Sequence, residues 1–392
     1  MKSILYISYF HDPFTHVTGA GQRSNLLLRA CMQGAEVDFV AFRKMESNIE
    51  GVNVMYSEDH DSPSLFHGLS RKQKLHSLAK PWDLQRIFNV EKDKEQVIDS
   101  LVAKKNYDYI VIRYLPDALR IGLMKYADRL VLDIDDHPKD VIRDFGKKTK
   151  SAFNRLYFNT IALFAQKGVK AIVEKVHTAF FSNPQDTVGS RGIYLPNVPF
   201  YEMPSEFVDF ATTTPRVLFV GTLDYKPNYL GICHFLDSVW PLVKKAVSNA
   251  ELHIVGATCS QQSLDVVKND WETNEDVEVL GFVEDLSEEY SQCRATIVPI
   301  YSGAGTCIKT IESMQQRRVC VSTPFGIRGI RDLLKPGSDV LVADNDKQFA
   351  EHIVKAITTP ALNRTISENA HGFVSQHFTK QAFYNIVAKE LF

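Results

Sequence analysis

Short apolar runs rich in β-branched residues alternate with longer stretches of helical period along the whole chain, the pattern of parallel sheets wrapped by helices. In the first half, strands are predicted at Ile4–Tyr9, Glu36–Phe42, Val52–Tyr56, Tyr109–Arg113, Leu130–Ile134 and Ala179–Ser182. In the second half the rhythm starts again, with strands predicted at Val217–Val220, Leu252–Val255, Val277–Leu280, Ala295–Pro299, Val319–Ser322 and Val340–Val342. Between the two sets, residues 196–215 hold four prolines and three consecutive threonines without sustained period, which marks a linker. The expectation is two doubly wound α/β domains facing a cleft, because ligands of such sheets bind beyond the carboxyl ends of the strands.

Length supports the division, since 392 residues exceed what one core usually organises. A formal net charge of −2 argues against a general nucleic-acid binder, which needs a surplus of Lys and Arg to meet a phosphate backbone. The six cysteines, at 31, 233, 259, 293, 307 and 320, form no Cys-x-x-Cys pair, so neither a zinc site nor a disulfide framework is suggested and a reducing compartment fits. The opening MKSILYISYFHDP breaks at His11, Asp12 and Pro13, too early for a signal peptide, and reads as a first strand. No run of 18 apolar residues predicts a transmembrane helix, so a cytoplasmic protein is expected.

The strongest chemical signal is GAGTCIKTIES, Gly303 to Ser313, which follows a strand and opens a helix. At about 100° per residue, Cys307, Ile308, Ile311 and Met314 share one arc, leaving Thr306, Lys309, Glu312 and Ser313 on the other. The two glycines let a ligand approach the backbone, and helix N-terminal amides favour an anion such as a diphosphate. Lys309 would add a full positive charge, and Glu312 would accept two hydrogen bonds from a vicinal diol such as ribose. The plainer reading is a tight turn with a Lys309–Glu312 surface pair.

This segment resembles the donor-site motif of family-4-like glycosyltransferases (glycosyl transferases group 1), in the branch with a Gly-x-Gly-Thr-x-x-Lys-x-x-Glu run. RVLFVGTLDYKPN (216–228), LHIVG (252–256), VEVLGFVEDL (277–286) and STPFGIRGI (322–330) resemble other parts of the same domain in the same order. The resemblance implies the GT-B fold of two Rossmann-like domains. Residues 1–198 would then be the acceptor-binding domain and 199–378 the nucleotide-sugar domain, with a closing helix at 379–392 crossing back onto the first. It further implies that Glu312 grips the donor ribose, that Gly303, Gly305, Thr306 and Lys309 surround the diphosphate, and that Phe282 or Val283 lies by the base. Gly221 and Thr222 would border the donor. Relatives often place Arg directly after that glycine and Lys five residues later; here those positions are Thr222 and Pro227, with Lys226 one place early. In relatives of the Glu-x7-Glu form the first glutamate stands where this chain has Ala304, so sugar contacts do not carry over.

In the first half, HDPFTHVTGAGQRSNLLLRACMQG is a loop containing Gly19 and Gly21 that runs into a helix. Related GT-B proteins face such a loop to the cleft, and Arg23 near the helix start would contact donor phosphate or acceptor; the other reading is a turn packed on the sheet. Asp12, with His11 and His16, lies near a strand's carboxyl end. In LDIDDHPKD (132–140), Asp133, Asp135, Asp136 and His137 crowd the end of an apolar strand. Three readings remain there: a general base for an acceptor hydroxyl, His137 or Asp136, with Asp12 of the first loop a further catalytic candidate; N-capping of the next helix by Asp135 or Asp136; and an Asp-x-Asp metal site. The resemblance implies work without a bound metal, so no cofactor is expected beyond the nucleotide-sugar substrate. Residues 139–175 hold nine Lys or Arg against three acidic residues, interleaved with aromatics, and Arg71 to Arg86 is also basic. That composition suits the anionic inner face of a membrane, or simply a solvated basic face.

The resulting expectation is a glycosyltransferase moving a sugar from a nucleotide-diphosphate donor to a hydroxyl of a glycan or lipid-linked acceptor in cell-surface polysaccharide or glycoconjugate synthesis, UDP being the expected nucleotide. The alternatives are a GT-B nucleotide-sugar epimerase and a non-catalytic sugar-binding protein.

Overall fold

The computed structural model describes residues 1–9, 13–14, 19–45, 50–58, 69–199, 204, 208–272, 275–302 and 306–392. The chain divides into two compact units, Met1–Pro196 with Lys380–Phe392, and Asn197–Thr379.

The first unit is built on seven parallel strands: β1 (Lys2–Ser8), β2 (Ala35–Ala41), β3 (Val52–Ser57), β4 (Tyr109–Arg113), β5 (Leu130–Ile134), β6 (Thr178–Phe181) and β7 (Gly192–Tyr194), in the order β3-β2-β1-β4-β5-β6-β7. Central β1, β4 and β5 are almost wholly buried, which explains their unbroken apolar runs: a parallel strand covered on both faces has no polar side to alternate. Leu5, Ile7, Phe42, Tyr107, Tyr157 and Phe181 anchor the core, each such side chain contributing roughly 1.5–3 kcal/mol by leaving water. The helix Lys380–Leu391 belongs to this unit and packs on Gly19–Met32. Phe392 lies over Gly34, where an added methyl would sit 2.6 Å from its ring, and the Arg23 guanidinium lies 5.7 Å from the centre of the Phe383 ring.

The second unit holds six parallel strands: β8 (Arg216–Val220), β9 (Glu251–Val255), β10 (Val277–Gly281), β11 (Ala295–Val298), β12 (Val319–Ser322) and β13 (Leu341–Val342), in the order β10-β9-β8-β11-β12-β13. Its core gathers Phe219, Phe235, Trp240, Trp271, Phe349 and Phe378. The tryptophans keep their indole N–H groups satisfied, Trp240 donating to Asp276 Oδ2 at 2.8 Å and Trp271 to Cys233 Sγ at 3.3 Å.

Every strand expected from the sequence is present to within two residues at each end, and both units are Rossmann-like α/β layers. Strand β7 was not anticipated. Its three half-buried residues, Gly-Ile-Tyr, are too short to show a period, and β6 supplies the pairing that makes them a strand. Among the described residues, no helix is long and apolar enough to cross a membrane.

Candidate functional site

Strand order reverses between β8 and β11 in the second sheet, the kind of place where doubly wound sheets hold ligands. At the exit of β8, the Gly221 N–H donates to Val255 O at 2.9 Å. The backbone of Gly256 comes so close that a methyl on it would lie 1.8 Å from Gly221 O, so the exit of β9 tolerates no side chain there. Asn228, 2% exposed, donates from Nδ2 to Thr222 O at 2.6 Å and fixes the turn. Pro227 sits in the first turn of the helix Lys226–Ser238, where its missing N–H costs nothing. Thr222 and Lys226 are both exposed, and Lys226 opens that helix.

The helix beyond β11 spans Ile308–Gln315, with Cys307 as its N-cap and no capping hydrogen bond from the Cys307 side chain. The expected division into a packing face and a working face needs correction: Thr310, Ile311, Glu312, Ser313, Met314 and Gln315 are all buried. The polar groups are satisfied inward. Thr310 Oγ1 donates to Gly326 O at 2.8 Å, Ser313 hydrogen-bonds Thr296, and Tyr290 Oη donates to Glu312 Oε1 at 2.9 Å. Burial raises the Glu312 pKa, while the Tyr290 hydrogen bond and the Lys309 charge pull it back. Half-buried Lys309 reaches across to β8: a methyl on Gly221 would lie 2.3 Å from its Cε and 3.1 Å from its Nζ. Among the described residues no hydrogen bond or ion pair engages that ammonium. Thr306 packs on Gly329, where a methyl would meet its Oγ1 at 2.3 Å. Val283 is half-buried against Leu218, Val255, Leu286, Tyr290 and Cys293, and its neighbour Phe282 is 61% exposed. Gly303, Ala304 and Gly305 lie outside the described residues, as do His11, Asp12 and His16.

In the first sheet the reversal falls between β1 and β4. Gly21 is buried within the helix Gly19–Met32, and Arg23 in the same helix is 2% exposed. Its expected contact with phosphate or acceptor is replaced by internal bonds. Nε and Nη2 donate to the Asp133 carboxylate at 2.6–3.0 Å, and Nη1 donates to Leu195 O at 3.0 Å and Pro196 O at 3.3 Å. Arg113 takes the other side of Asp133, its Nε donating to Oδ2 at 2.9 Å, and also reaches Asp135 Oδ2 at 2.7 Å and Ser24 Oγ at 2.6 Å. Asp133 and Asp135 are therefore neutralised by guanidinium groups instead of repelling each other, and they are not gathered for a metal. Among the described residues no group of three or more His, Cys, Asp or Glu could hold an ion.

His137, rather than Asp135 or Asp136, caps the helix Pro138–Lys148, its Nδ1 accepting from Lys139 N at 3.0 Å. An Nδ1 acceptor in a neutral imidazole puts the proton on Nε2. That nitrogen is buried without a hydrogen-bond partner, and burial lowers the ring's pKa. The Nδ1 lone pair is thus engaged at the start of this helix. Asp136 is half-buried, and its charge, with that of Asp135, adds to the burial that pushes the Tyr114 pKa up against the opposing Arg113.

Sequence reasoning missed Tyr290, Asn228 and Arg113. Tyr290 meets Glu312 from 22 positions away, with no local signal. Arg113 did leave one, as a charge ending the apolar strand YIVIR.

Residues 214–359 match the family of glycosyl transferases group 1. A Klebsiella pneumoniae protein described as an uncharacterized 44.6 kDa protein in the cps region is 22% identical over 320 residues, covering 79% of this chain and 80% of its own length. Sucrose-phosphate synthase from Thermosynechococcus elongatus superposes with a TM-score of 0.64 at 16% identity, over 99% of this chain and 98% of that one. Anabaena HepE, solved in complex with UDP and glucose, gives 0.65 at 13% identity over 100% and 99%. These likenesses set the fold, and residues 214–359 carry a glycosyl transferases group 1 domain: the chain is a glycosyltransferase of the GT-B fold.

Proposed function

We propose that the second unit binds a nucleotide-diphosphate sugar, with UDP as the nucleotide, and that the chain transfers the sugar to a hydroxyl of a glycan or lipid-linked acceptor in cell-surface polysaccharide synthesis. The observation that carries this reading is the Lys309 ammonium, held over Gly221 at the β8–β11 reversal and uncommitted among the described residues. A diphosphate placed there meets Lys309 and the amino end of the helix Ile308–Gln315, with Thr306 and the Gly221–Thr222 turn around it and Lys226 at the neighbouring helix start. Gly303 and Gly305, by the family resemblance, complete the turn. Glu312, oriented by Tyr290, receives the ribose hydroxyls, and Phe282 with Val283 borders the base.

In the transfer, the bond from the anomeric carbon to the donor's phosphate oxygen breaks and the acceptor oxygen bonds to that carbon, giving up its proton. Negative charge grows on the departing diphosphate, and a positive group already positioned there lowers the barrier most. Asp136 is the carboxylate we assign to take the acceptor's proton. The UDP complex of HepE and the cps-region relative support the choice of nucleotide and pathway class.

The first unit also offers a membrane-docking face. Leu75, Trp82, Leu156, Leu163 and Phe164 are exposed, and Lys167 lies 4.7 Å from the Trp82 ring centre. Exposed apolar groups among basic ones suit an anionic lipid surface, where a lipid-linked acceptor would be found.

Thermal melting with UDP, GDP, ADP, TDP and CMP tests the donor reading, since a ligand bound only by the native state raises the melting temperature. UDP is expected to give the largest rise, and Glu312→Ala to abolish it. No rise with any nucleotide overturns the reading. Product analysis with UDP-sugars separates transfer from epimerisation, which would yield an altered sugar without acceptor.

A further inference from the structure

The loop that follows β12 is fastened to the amino end of the helix Ile308–Gln315 at two points. Thr310 Oγ1 donates to Gly326 O at 2.8 Å, and Gly329 presses on Thr306, where an added methyl would lie 2.3 Å from Oγ1 and 2.9 Å from Cβ. The Gly326 N–H reaches Thr323 Oγ1 at 3.2 Å, and that hydroxyl donates to Ile300 O just beyond β11. Between the two glycines the chain turns tightly, Arg328 N donating to Phe325 O at 3.3 Å and Ile330 N to Ile327 O at 2.9 Å. Gly326, Ile327, Gly329 and Ile330 are buried, so the turn is held on both sides of Arg328. Arg328 is the one charged residue in the segment 322–330. It is half-buried, and its guanidinium carbon lies 3.9 Å from the centre of the Phe325 ring.

We propose that Arg328 is a second cation of the donor site and binds the diphosphate of the nucleotide sugar together with Lys309. The inference rests on the donor reading above and adds to it a residue from a separate loop. Placement is the first argument. Thr306 lies three residues before Lys309, and the residue that touches Thr306 is the immediate neighbour of Arg328, so the loop carries a positive charge to the amino end of the helix that bears Lys309.

Charge is the second argument. The diphosphate of a nucleotide sugar is multiply charged, and it gains further negative charge as its bond to the anomeric carbon breaks. Lys309 offers a single positive charge, and the helix end adds about half of one. Lys226 is exposed, so water and salt screen its ammonium, whereas the half-buried Arg328 is screened less. Shape is the third. A guanidinium presents paired N–H groups in one plane, which match two phosphate oxygens and stay charged at any working pH. Stacking on Phe325 occupies the face of that plane rather than its N–H donors, and it limits the orientations that binding would have to fix.

The test uses the full-length chain, Arg328→Gln and Arg328→Lys, titrated with UDP by calorimetry and with uridine by saturation-transfer NMR. Arg328→Gln is expected to bind UDP at least about tenfold more weakly than the wild type, with uridine bound as before, because only UDP carries the diphosphate. Arg328→Lys keeps the charge without the fork and is expected to fall between the two. UDP affinity within about twofold of the wild type in Arg328→Gln overturns the proposal, and so does an equal loss of UDP and uridine, since the arginine would then support the fold of the site. Should Arg328→Gln fail to fold, Arg328→Lys decides: weaker UDP binding with uridine unchanged supports the proposal, and equal UDP binding overturns it. A wild type that binds no UDP sinks the donor reading itself, whereas UDP binding that survives Arg328→Gln sinks this inference alone.

Discussion

The two sheets reverse strand order at equivalent places, β1–β4 and β8–β11, yet they treat positive charge in opposite ways. At the first reversal Arg23 and Arg113 are buried and bound on both sides of Asp133, with Ser24 and Asp135 taking the other two arms of Arg113. At the second, Lys309 stands over Gly221 with no ion pair among the described residues. Topology supplies a switch point in each case, and the pairing of charges decides its use. A switch point neutralised by its own carboxylates has nothing to offer a diphosphate, whereas Lys309, with no ion pair among the described residues, has.

The largest effect expected from breaking this contrast is on stability. Asp133→Asn leaves two buried guanidinium groups without their shared counter-ion, and losing one partner of such a pair costs about 3–5 kcal/mol. Urea unfolding measures it, and a loss below about 1 kcal/mol would mean that the pairing is not what holds the first unit's strand ends together. UDP affinity should not change. Lys309→Ala is the mirror experiment. Removing a charged donor from a diphosphate forfeits about 1.5–3 kcal/mol, or roughly 10–100-fold in UDP affinity by calorimetry, with stability changed by less than about 0.5 kcal/mol. Equal UDP binding by both proteins would remove the contrast altogether.

The sequence was more legible for the frame than for the charges. Buried parallel strands announce themselves as apolar runs because both faces are covered, so even the boundaries of β4, β5 and β12 could be read directly. The Thr306–Lys309–Glu312 spacing was visible for the same reason, since a helical period is local. What could not be read was which charges find each other. Arg23 and Asp133 lie 110 positions apart, and Arg23 looked like a ligand contact only because its partner was unknown. The crowding of Asp133, Asp135 and Asp136 suggested repulsion or a metal, while Arg113, on the adjacent strand β4, resolves it in space. The capping of the helix at Pro138–Lys148 fell to His137, one residue beyond the aspartates expected to do it.

A smaller perturbation sharpens the donor side of the comparison without deleting any polar group. In Gly221→Ala the new methyl would meet Lys309 Cε at 2.3 Å, the far part of a flexible side chain, so the lysine swings away while the fold persists. UDP affinity is expected to fall about tenfold, equivalent to about 1.4 kcal/mol, with the melting temperature nearly unchanged. Unchanged affinity would show that the position of Lys309 over β8 is incidental.

The mildest expected effect is pH dependence, and its sign differs between the two units. Burial lowers the His137 pKa, Asp186 and Asp140 opposing this and Lys139 adding to it, so the native state resists a proton that the unfolded chain accepts near pH 6.5. The resulting stability is present above about pH 6.5 and is lost as pH falls through the window below it. Glu312 in the second unit has a raised pKa, so its native form keeps a proton that the unfolded chain releases near pH 4.3, and stability declines as pH rises from there. His137→Asn retains a capping side chain and removes the acid-side loss. Melting curves between pH 5 and 7 should therefore be flatter for His137→Asn than for the wild type, and an identical slope would mean that the buried imidazole does not resist protonation in the folded chain.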